Sequence, residues 1–391
     1  MAIGFPRELL RQPNEERIAY FEAYTIAHPK LKEAMKQTVR FIGHRRAKAS
    51  CITVFGPTGV GKTTLLQKVE QVLIQEALQD LQTDRGCIPV VMVEATAPES
   101  GNFNWKDFFT RSLATLEEPL IDQKIHYGTR GIYRNKEGQL VIESSVASAK
   151  LRFALENALK HRHPLAFLID EAQHIQKMAS GRRLQDNMDC IKSIANLTRI
   201  PHVLVGTYEL LTMRNLSGQL SRRNQDIHFS RYRADCKEDV EAFLNILLTF
   251  QRHLPLQEEP DLLSQWEYLY ERCLGCIGIL KEWLNRAFSD ALEEEAATLT
   301  YKHLQQRALS ITQCKKILQE IEEGEKALQE TAEDCNKLRD RLKLNQGEPT
   351  EPDASEKDTG KANPSPPKKR KVRRVGSPNP KRRKVGGQDS A

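Results

Sequence analysis

The chain has 391 residues, 39% of them hydrophobic, enough for one large or two medium packed domains with appendages. Its net charge of +7 is concentrated: residues 346–391 hold 12 Lys/Arg and 6 Asp/Glu, leaving 47 basic and 46 acidic residues elsewhere, so a nucleic-acid surface on the remainder must be a local patch. No apolar run reaches membrane-spanning length, no signal peptide is read at the start, and the eight cysteines are scattered, which excludes a membrane span and predicts a soluble, intracellular protein with reduced thiols.

Residues 1–47 read as a polar, mostly helical extension, with His28–Ile42 an amphipathic helix entering the core. Between 48 and 235, four apolar strand candidates alternate with helical patterns. The strands are Ile52–Phe55, Ile88–Val93, Leu165–Ile169 and His202–Val205; the helices cover 62–80, 104–116, 146–160 and 184–198. That alternation predicts an α/β fold, a parallel sheet with helices on both faces. Residues 118–145 break the rhythm, and Ile132–Ile142 reads as a hairpin around Asn135–Gly138. From 236 to 310 the pattern is helical only, a small α-helical lid. Cys273 and Cys276 form a close thiol pair there; with no second pair, they read as small apolar residues of a helix and not as zinc ligands. Residues 311–345 form a charged helix in which Cys314, Ile321, Leu328, Cys335 and Leu342 recur every seven residues. Gly324 and Glu325 weaken its second apolar position, so it reads as a short docking or coiled-coil helix. Residues 346–391, rich in Pro, Gly, Ser and charge, predict a disordered basic tail.

The segment Gly56-Pro57-Thr58-Gly59-Val60-Gly61-Lys62-Thr63 matches G-x-x-x-x-G-K-[ST] and lies between an apolar β run and a helical pattern carrying Leu65, Leu66, Val69 and Val72. This context predicts a phosphate loop whose backbone N–H groups and helix N-terminus cradle a nucleotide. Lys62 would reach the β- and γ-phosphates, and the Thr63 hydroxyl would ligate Mg²⁺. Leu165–Ile169 then delivers Asp170 and Glu171 at the C-terminal edge of a strand, where open α/β sheets bind ligands. Asp170 would hold Mg²⁺, through water, and Glu171 would polarise the attacking water. With no N-K-x-D guanine-reading motif in its expected region, ATP is the nucleotide favoured. Strand order adds two positions. Thr207, ending the strand His202–Gly206, could sense the γ-phosphate or the lytic water, and Arg222 could reach the ATP of a neighbouring subunit as an arginine finger.

These residues resemble the AAA+ superfamily, and more specifically the transposon target-selection ATPases of the TnsC/TniB group, which includes regulators of CRISPR-associated transposons. The resemblance covers about residues 28–290. It is carried by Gly56–Thr64, Leu168-Ile-Asp-Glu-Ala-Gln173, Val203-Leu-Val-Gly-Thr-Tyr-Glu-Leu210 and the lid run Gly275-Cys-Ile-Gly278-Ile-Leu-Lys-Glu-Trp-Leu284. It implies an AAA+ fold, Thr64 as part of the nucleotide-binding loop, and an ATPase that assembles with itself as a ring or filament on double-stranded DNA. Such an assembly would connect a TnsD/TniQ-type target recogniser to a transposase. By the same resemblance Lys106 is the leading DNA contact, and Ser144–Lys150, with Ser145 and Lys150, the second; such phosphate contacts position without reading bases. Relatives tend to carry Arg directly after the second lid glycine, where this chain has Ile279. Lys281, the nearest cation, is the substitute candidate for contacting ATP, although a helix rotates it by about 200° from position 279.

The repeat Pro367-Lys-Lys-Arg-Lys-Val372 and Pro380-Lys-Arg-Arg-Lys-Val385 could follow DNA phosphates, attract an acidic partner or serve nuclear import. A flexible arm for DNA or the transposase is the favoured reading, with a bacterial cytoplasmic, DNA-associated protein. Two other functions compete. An AAA+ replication initiator or helicase loader commonly carries a winged-helix domain after its lid, for which the residues after 310 are too few. An ATP-binding signalling switch with little turnover has no need of Glu171.

Overall fold

A strand buried on both faces has no room for charge, and the central sheet obeys that rule from its middle outward. The computed structural model describes residues 4–43, 51–84, 86–98, 101–116, 132–134, 140–142, 148–176, 182–214 and 224–344. Helices α1 (Asn14–Ala23) and α2 (Pro29–Gly43) precede β1 (Cys51–Phe55); α3 (Lys62–Glu76) and α4 (Leu78–Thr83) lead to β2 (Val90–Glu94). After α5 (Trp105–Thr115) come β3 (Ile132–Arg134) and β4 (Leu140–Ile142), which pair antiparallel as the expected hairpin. Then follow α6 (Ser148–Arg162), β5 (Ala166–Asp170), α7 (Arg182–Thr198), β6 (His202–Gly206), α8 (Leu211–Arg214) and β7 (Asn224–His228).

The large sheet runs β2-β5-β6-β1-β7 with every pairing parallel. β1, β5 and β6 are buried along their whole length. Alternate residues serve opposite faces: Ile52 and Val54 pack with Leu31 of α2 and Leu65, Leu66 and Val69 of α3, whereas Cys51 and Phe55 pack with the layer of α5, α6 and α7. β7, outside the four apolar strand candidates, is polar (Asn-Gln-Asp-Ile-His). It is an edge strand, where one covered face suffices and alternating polar residues are tolerated.

Beyond residue 236 the described chain is helical: α9 (Lys237–His253), α10 (Trp266–Cys273), α11 (Ile277–Glu293), α12 (Tyr301–Arg307), α13 (Ile311–Leu328) and α14 (Ala332–Arg341). α11 buries Ile277, Leu280, Leu284, Ala287, Phe288 and Ala291, a stripe at helical spacing. α1 completes this helical core: Phe21 is fully buried, edge-on to Phe250 and Phe288 at 5.9 and 5.7 Å. Cys273 and Cys276 do not share a helix. Cys273 ends α10, Leu274 and Gly275 take left-handed φ of 56° and 73°, and Cys276 caps α11. Gly275 is required there, because a Cβ would lie 2.1 Å from the carbonyl oxygen of Tyr232. Burial pushes the Cys276 thiol up to about 12, keeping it a neutral, apolar group.

The charged helix expected over 311–345 is two helices. Gln329 is extended, and Thr331 begins a new helix by accepting the Asp334 N–H on its hydroxyl. The seven-residue repeat is divided with it: Cys314 and Ile321 are buried and Leu328 packs on the sheet's α5–α7 layer, whereas Cys335 and Leu342 are exposed. Met1–Gln329 form one compact unit and Glu330–Ala391 a second, of which 330–344 are described. The positions that weakened the repeat explain where α13 docks. A Cβ on Gly324 would fall 2.2 Å from Cγ of Tyr208, and Glu325 accepts two hydrogen bonds from Arg231, at 3.0 and 3.3 Å.

This contact gives a prediction of definite sign. Helix propensity alone makes Gly324→Ala stabilising by roughly 1 kcal/mol. Overpacking against Tyr208 reverses this, so denaturant unfolding should show a net loss of about 1–3 kcal/mol. A gain in stability would mean that α13 does not dock on Tyr208.

Candidate nucleotide site

Three chain segments meet at the C-terminal edge of the sheet. The first is the loop between β1 and α3. Gly59 and Gly61 have φ of 73° and 109°, conformations that other residues rarely adopt. Gly61 caps α3 without a side chain, so the first N–H groups of the helix have no side-chain cap. Gly56 is required by space, since a Cβ there would meet the Phe229 carbonyl oxygen at 2.1 Å. Lys62 is 6% exposed and folds back inside the loop, donating to the carbonyl oxygens of Gly56 at 3.2 Å and Pro57 at 2.8 Å. Burial lowers its pKa, and the negative charges of Glu171 and Asp170 oppose that. An ammonium resting on two carbonyls beside uncapped helical N–H groups is suited to an incoming phosphate.

The second segment is the end of β5. Asp170 Oδ2 accepts from the Thr63 hydroxyl at 2.8 Å, and its Oδ1 accepts from the Glu171 N–H at 2.9 Å. Burial raises the Asp170 pKa, and the Thr63 hydrogen bond works against the rise. Glu171 itself is left-handed, with φ of 49°, and opens the 3₁₀ turn Ala172–Ile175. That turn is held from outside: His174 Nδ1 lies 2.8 Å from the Ala95 carbonyl oxygen, and Asn187 Nδ2 donates to the Ile175 carbonyl. Asn187 in turn accepts from the Trp105 indole at 3.0 Å, which ties the start of α5 to the turn after Glu171.

The third segment follows β6. Thr207 Oγ1 is buried without a hydrogen-bond partner, and the Thr207 N–H donates to Gln173 Oε1 at 3.2 Å. A buried, unpartnered hydroxyl at this edge suits an oxygen ligand, because leaving it unpaired costs free energy. Asp170 and Thr63 offer oxygen donors to a hard divalent cation such as Mg²⁺, which takes few protein ligands and completes its shell with phosphates and water. Among the described residues no cluster of three or more His, Cys, Asp or Glu forms a separate metal site.

The lid closes on the loop through backbone. The Ile279 N–H donates to the Gly59 carbonyl at 3.0 Å. Cβ atoms on Gly278 and Gly59 would lie 2.5 Å from Gly59 O and 2.4 Å from Ile279 Cγ1, so both glycines permit the approach. Beside this contact is a cavity walled by Thr25, Ile26, Val60, Gly61, Thr64 and Lys281. The Lys281 ammonium is turned onto the Phe21 carbonyl and ring. The lysine expected to contact ATP thus lines the cavity with its amine engaged on α1.

The structure brings Lys62, Thr63, Asp170, Glu171 and Thr207 to one edge of the sheet. Thr64 lines the cavity, and Pro57 contributes its carbonyl. Arg222 and Ser145 lie outside the described residues. Lys106 and Lys150 sit in the first turns of α5 and α6, which pack together, and both are engaged with other groups of the chain. Gln173 and the Thr25–Ile26 wall carry no sequence signal strong enough to single them out. Gln173 closes the run Leu168–Gln173 with no role assigned to it there; nothing local marks Thr25 or Ile26.

Residues 45–213 match the family model for an AAA domain. No curated protein matches the chain. Among solved structures, the chain is similar to Drosophila ORC bound to DNA, at 14% identity over 75% of this chain and 64% of that one, with a TM-score of 0.47. It is similar to Cdc6p from Pyrobaculum aerophilum, at 14% identity over 75% and 70%, with a TM-score of 0.49. The Hsp104–ADP complex from S. cerevisiae shares 16% identity over 86% of this chain and 48% of that chain, with a TM-score of 0.42. The chain therefore spans just under two thirds of the ORC chain and about half of Hsp104, and these likenesses concern fold alone. The fold is the AAA+ P-loop fold, and residues 45–213 are the part that matches the AAA domain. No helix among the described residues is long and apolar enough to cross a membrane.

Lys281 supplies a pH test of this architecture. Burial lowers its pKa from 10.5 to about 7, opposed by Glu22. Between those values the unfolded chain binds more protons than the folded one, so this contribution to stability grows as pH rises from about 7 and is complete above 10.5. Wild-type stability relative to Lys281→Met should climb between pH 7 and 9, by up to ~1 kcal/mol per pH unit in denaturant titrations. A difference that stays flat over that range would mean the amine remains charged in the folded protein.

Proposed function

We propose that this protein is a Mg²⁺-dependent ATPase that assembles with itself on double-stranded DNA and uses ATP binding and hydrolysis to control that assembly. The observation that carries the ATPase reading is the hydrogen bond from Thr63 to Asp170, with Lys62, Glu171 and Thr207 gathered around it. In this reading the loop residues Gly56–Thr64 bind the phosphates, and the cavity beside Thr25, Ile26 and Lys281 takes the base. Thr63 and Asp170 hold the cation, which offsets charge on the phosphates. Glu171 orients and deprotonates the attacking water, Thr207 donates its unused hydroxyl to the γ-phosphate, and Lys62 leaves the loop carbonyls for the phosphate oxygens. Arg222 completes the site of a neighbouring subunit. Lys106, Ser145 and Lys150 follow DNA phosphates, positioning the assembly without reading sequence.

Two DNA-linked duties fit this chemistry. One is replication initiation or helicase loading; the other is transposition, with a TnsD/TniQ-type recogniser and a transposase as partners. The motif resemblance, above all Val203–Tyr208 with the Gly275–Gly278 lid, supports transposition. The solved structures named above include replication initiators, but at TM-scores below 0.5 they add nothing beyond the shared fold. The two duties separate by assay: an initiator or loader delivers a ring helicase to DNA in an ATP-dependent manner, whereas a transposition regulator stimulates strand transfer by a transposase.

Electron microscopy of the protein with duplex DNA in ATP, a slowly hydrolysed analogue and ADP tests the shared reading. Rings or filaments on DNA are expected with triphosphate alone; monomers indifferent to DNA in all three states would end it. Lys62→Ala should abolish assembly. Glu171→Gln should permit assembly yet lower turnover by on the order of 10²-fold or more. Normal turnover in Glu171→Gln would remove Glu171 from its assigned role.

A further inference from the structure

Gln173 touches both halves of the hydrolytic arrangement. Its Nε2 donates to the Glu171 carboxylate, and its Oε1 accepts the Thr207 N–H at 3.2 Å. The side chain is 5% exposed, so this amide has been taken out of water and both of its ends are satisfied within the site. A neutral amide can make both bonds, whereas a carboxylate cannot donate and an ammonium cannot accept.

The surroundings are shaped for it. Gly206 precedes Thr207, and a Cβ there would lie 2.2 Å from Gln173 Oε1. Gly206 is not in the left-handed region, so its missing side chain is explained by space and not by backbone conformation. The 3₁₀ turn that carries Gln173 is fixed at His174 by the Ala95 carbonyl and at Ile175 by Asn187. The amide therefore spans between an anchored turn and the end of β6 with little freedom to drift.

We infer that Gln173 is a positioning residue that fixes the Glu171 carboxylate relative to the Thr207 turn, so that γ-phosphate contact at Thr207 and water activation at Glu171 depend on each other. The inference rests on the proposed role of Glu171. Without the amide bridge, the carboxylate keeps its chemistry but loses its set place. The loss then falls on the chemical step and spares ATP binding, which is made by the phosphate loop.

The test uses the full chain with Gln173→Met, which keeps the volume and removes both hydrogen bonds, and Gln173→Asn, which keeps the amide one methylene too short. Both should lower turnover at saturating ATP by about 10–100-fold, while affinity for a fluorescent ATP analogue changes by less than about 3-fold. In a Glu171→Gln background, adding Gln173→Met should cost nothing further, because the two act as one unit. In the nucleotide-free protein, hydrogen exchange at the Thr207 amide should accelerate by about 10-fold in Gln173→Met. Turnover of a folded Gln173→Met within about 3-fold of wild type would overturn the inference, as would a full further loss in the Glu171→Gln background. Unchanged Thr207 exchange would do the same. If Glu171→Gln itself retains turnover, the proposed role of Glu171 fails, and the exchange measurement still decides whether Gln173 holds Thr207.

Discussion

The site depends on β6 lying between β1 and β5. β1 ends in the phosphate loop and β5 in Asp170-Glu171, yet these strands do not pair; each pairs with β6. The hydrogen bond from Thr63 to Asp170 therefore joins segments that follow two strands separated by β6, and the residue that follows β6 lies at the same sheet edge. That residue is Thr207, preceded by a glycine small enough to admit Gln173. Strand order sets this threonine between the phosphate loop and the carboxylates. Parallel strands in register make the arrangement stiff, since Phe55 is paired with Gly206 and a slip would displace the loop, the threonine and the carboxylates together.

The far side of the same turn is covered by α13. Tyr208 follows Thr207 directly, packs near Phe55 and shares a hydrogen bond of 2.8 Å with His228. Burial lowers the His228 pKa, which favours the neutral ring. Gly324 lies against the Tyr208 ring, and Glu325 neutralises Arg231 just beyond β7. The pair is mostly buried, where removing one partner costs more than the pair itself contributes. A helix that is distant in sequence thus rests on the residue beside the unpartnered hydroxyl.

Much of this is legible in the sequence where the physics is local. Unbroken apolar runs locate three inner strands to within a residue or two, because a strand buried on both faces leaves few alternatives. The phosphate loop is legible because glycines with positive φ, a lysine and a threonine at fixed spacing have few other uses. β7 is barely legible, since an edge strand need not be apolar. The break at Gln329 is hidden because the seven-residue repeat runs through it in register, although Thr331 and Asp334 form a cap that marks a helix start. Phe21 in the lid core, the Tyr208–Gly324 contact and the wall at Thr25–Ile26 are not legible at all. They join segments more than a hundred residues apart or fall where local pattern is weak, and nothing in either partner specifies the other.

The lid shows how one departure from the family resemblance is absorbed. At the position where relatives tend to carry arginine, Ile279 gives the loop a backbone N–H and an apolar contact with Gly59 instead of a cation. Lys281 does not restore the charge, because its amine is buried against Phe21 and its pKa is lowered to about 7. The cation that the fold does set inside the loop is Lys62, on the carbonyl oxygens of Gly56 and Pro57. In the ATPase reading proposed above, a cation from a neighbouring subunit would add positive charge that the lid does not supply, and hydrolysis would then be tied to assembly by electrostatics.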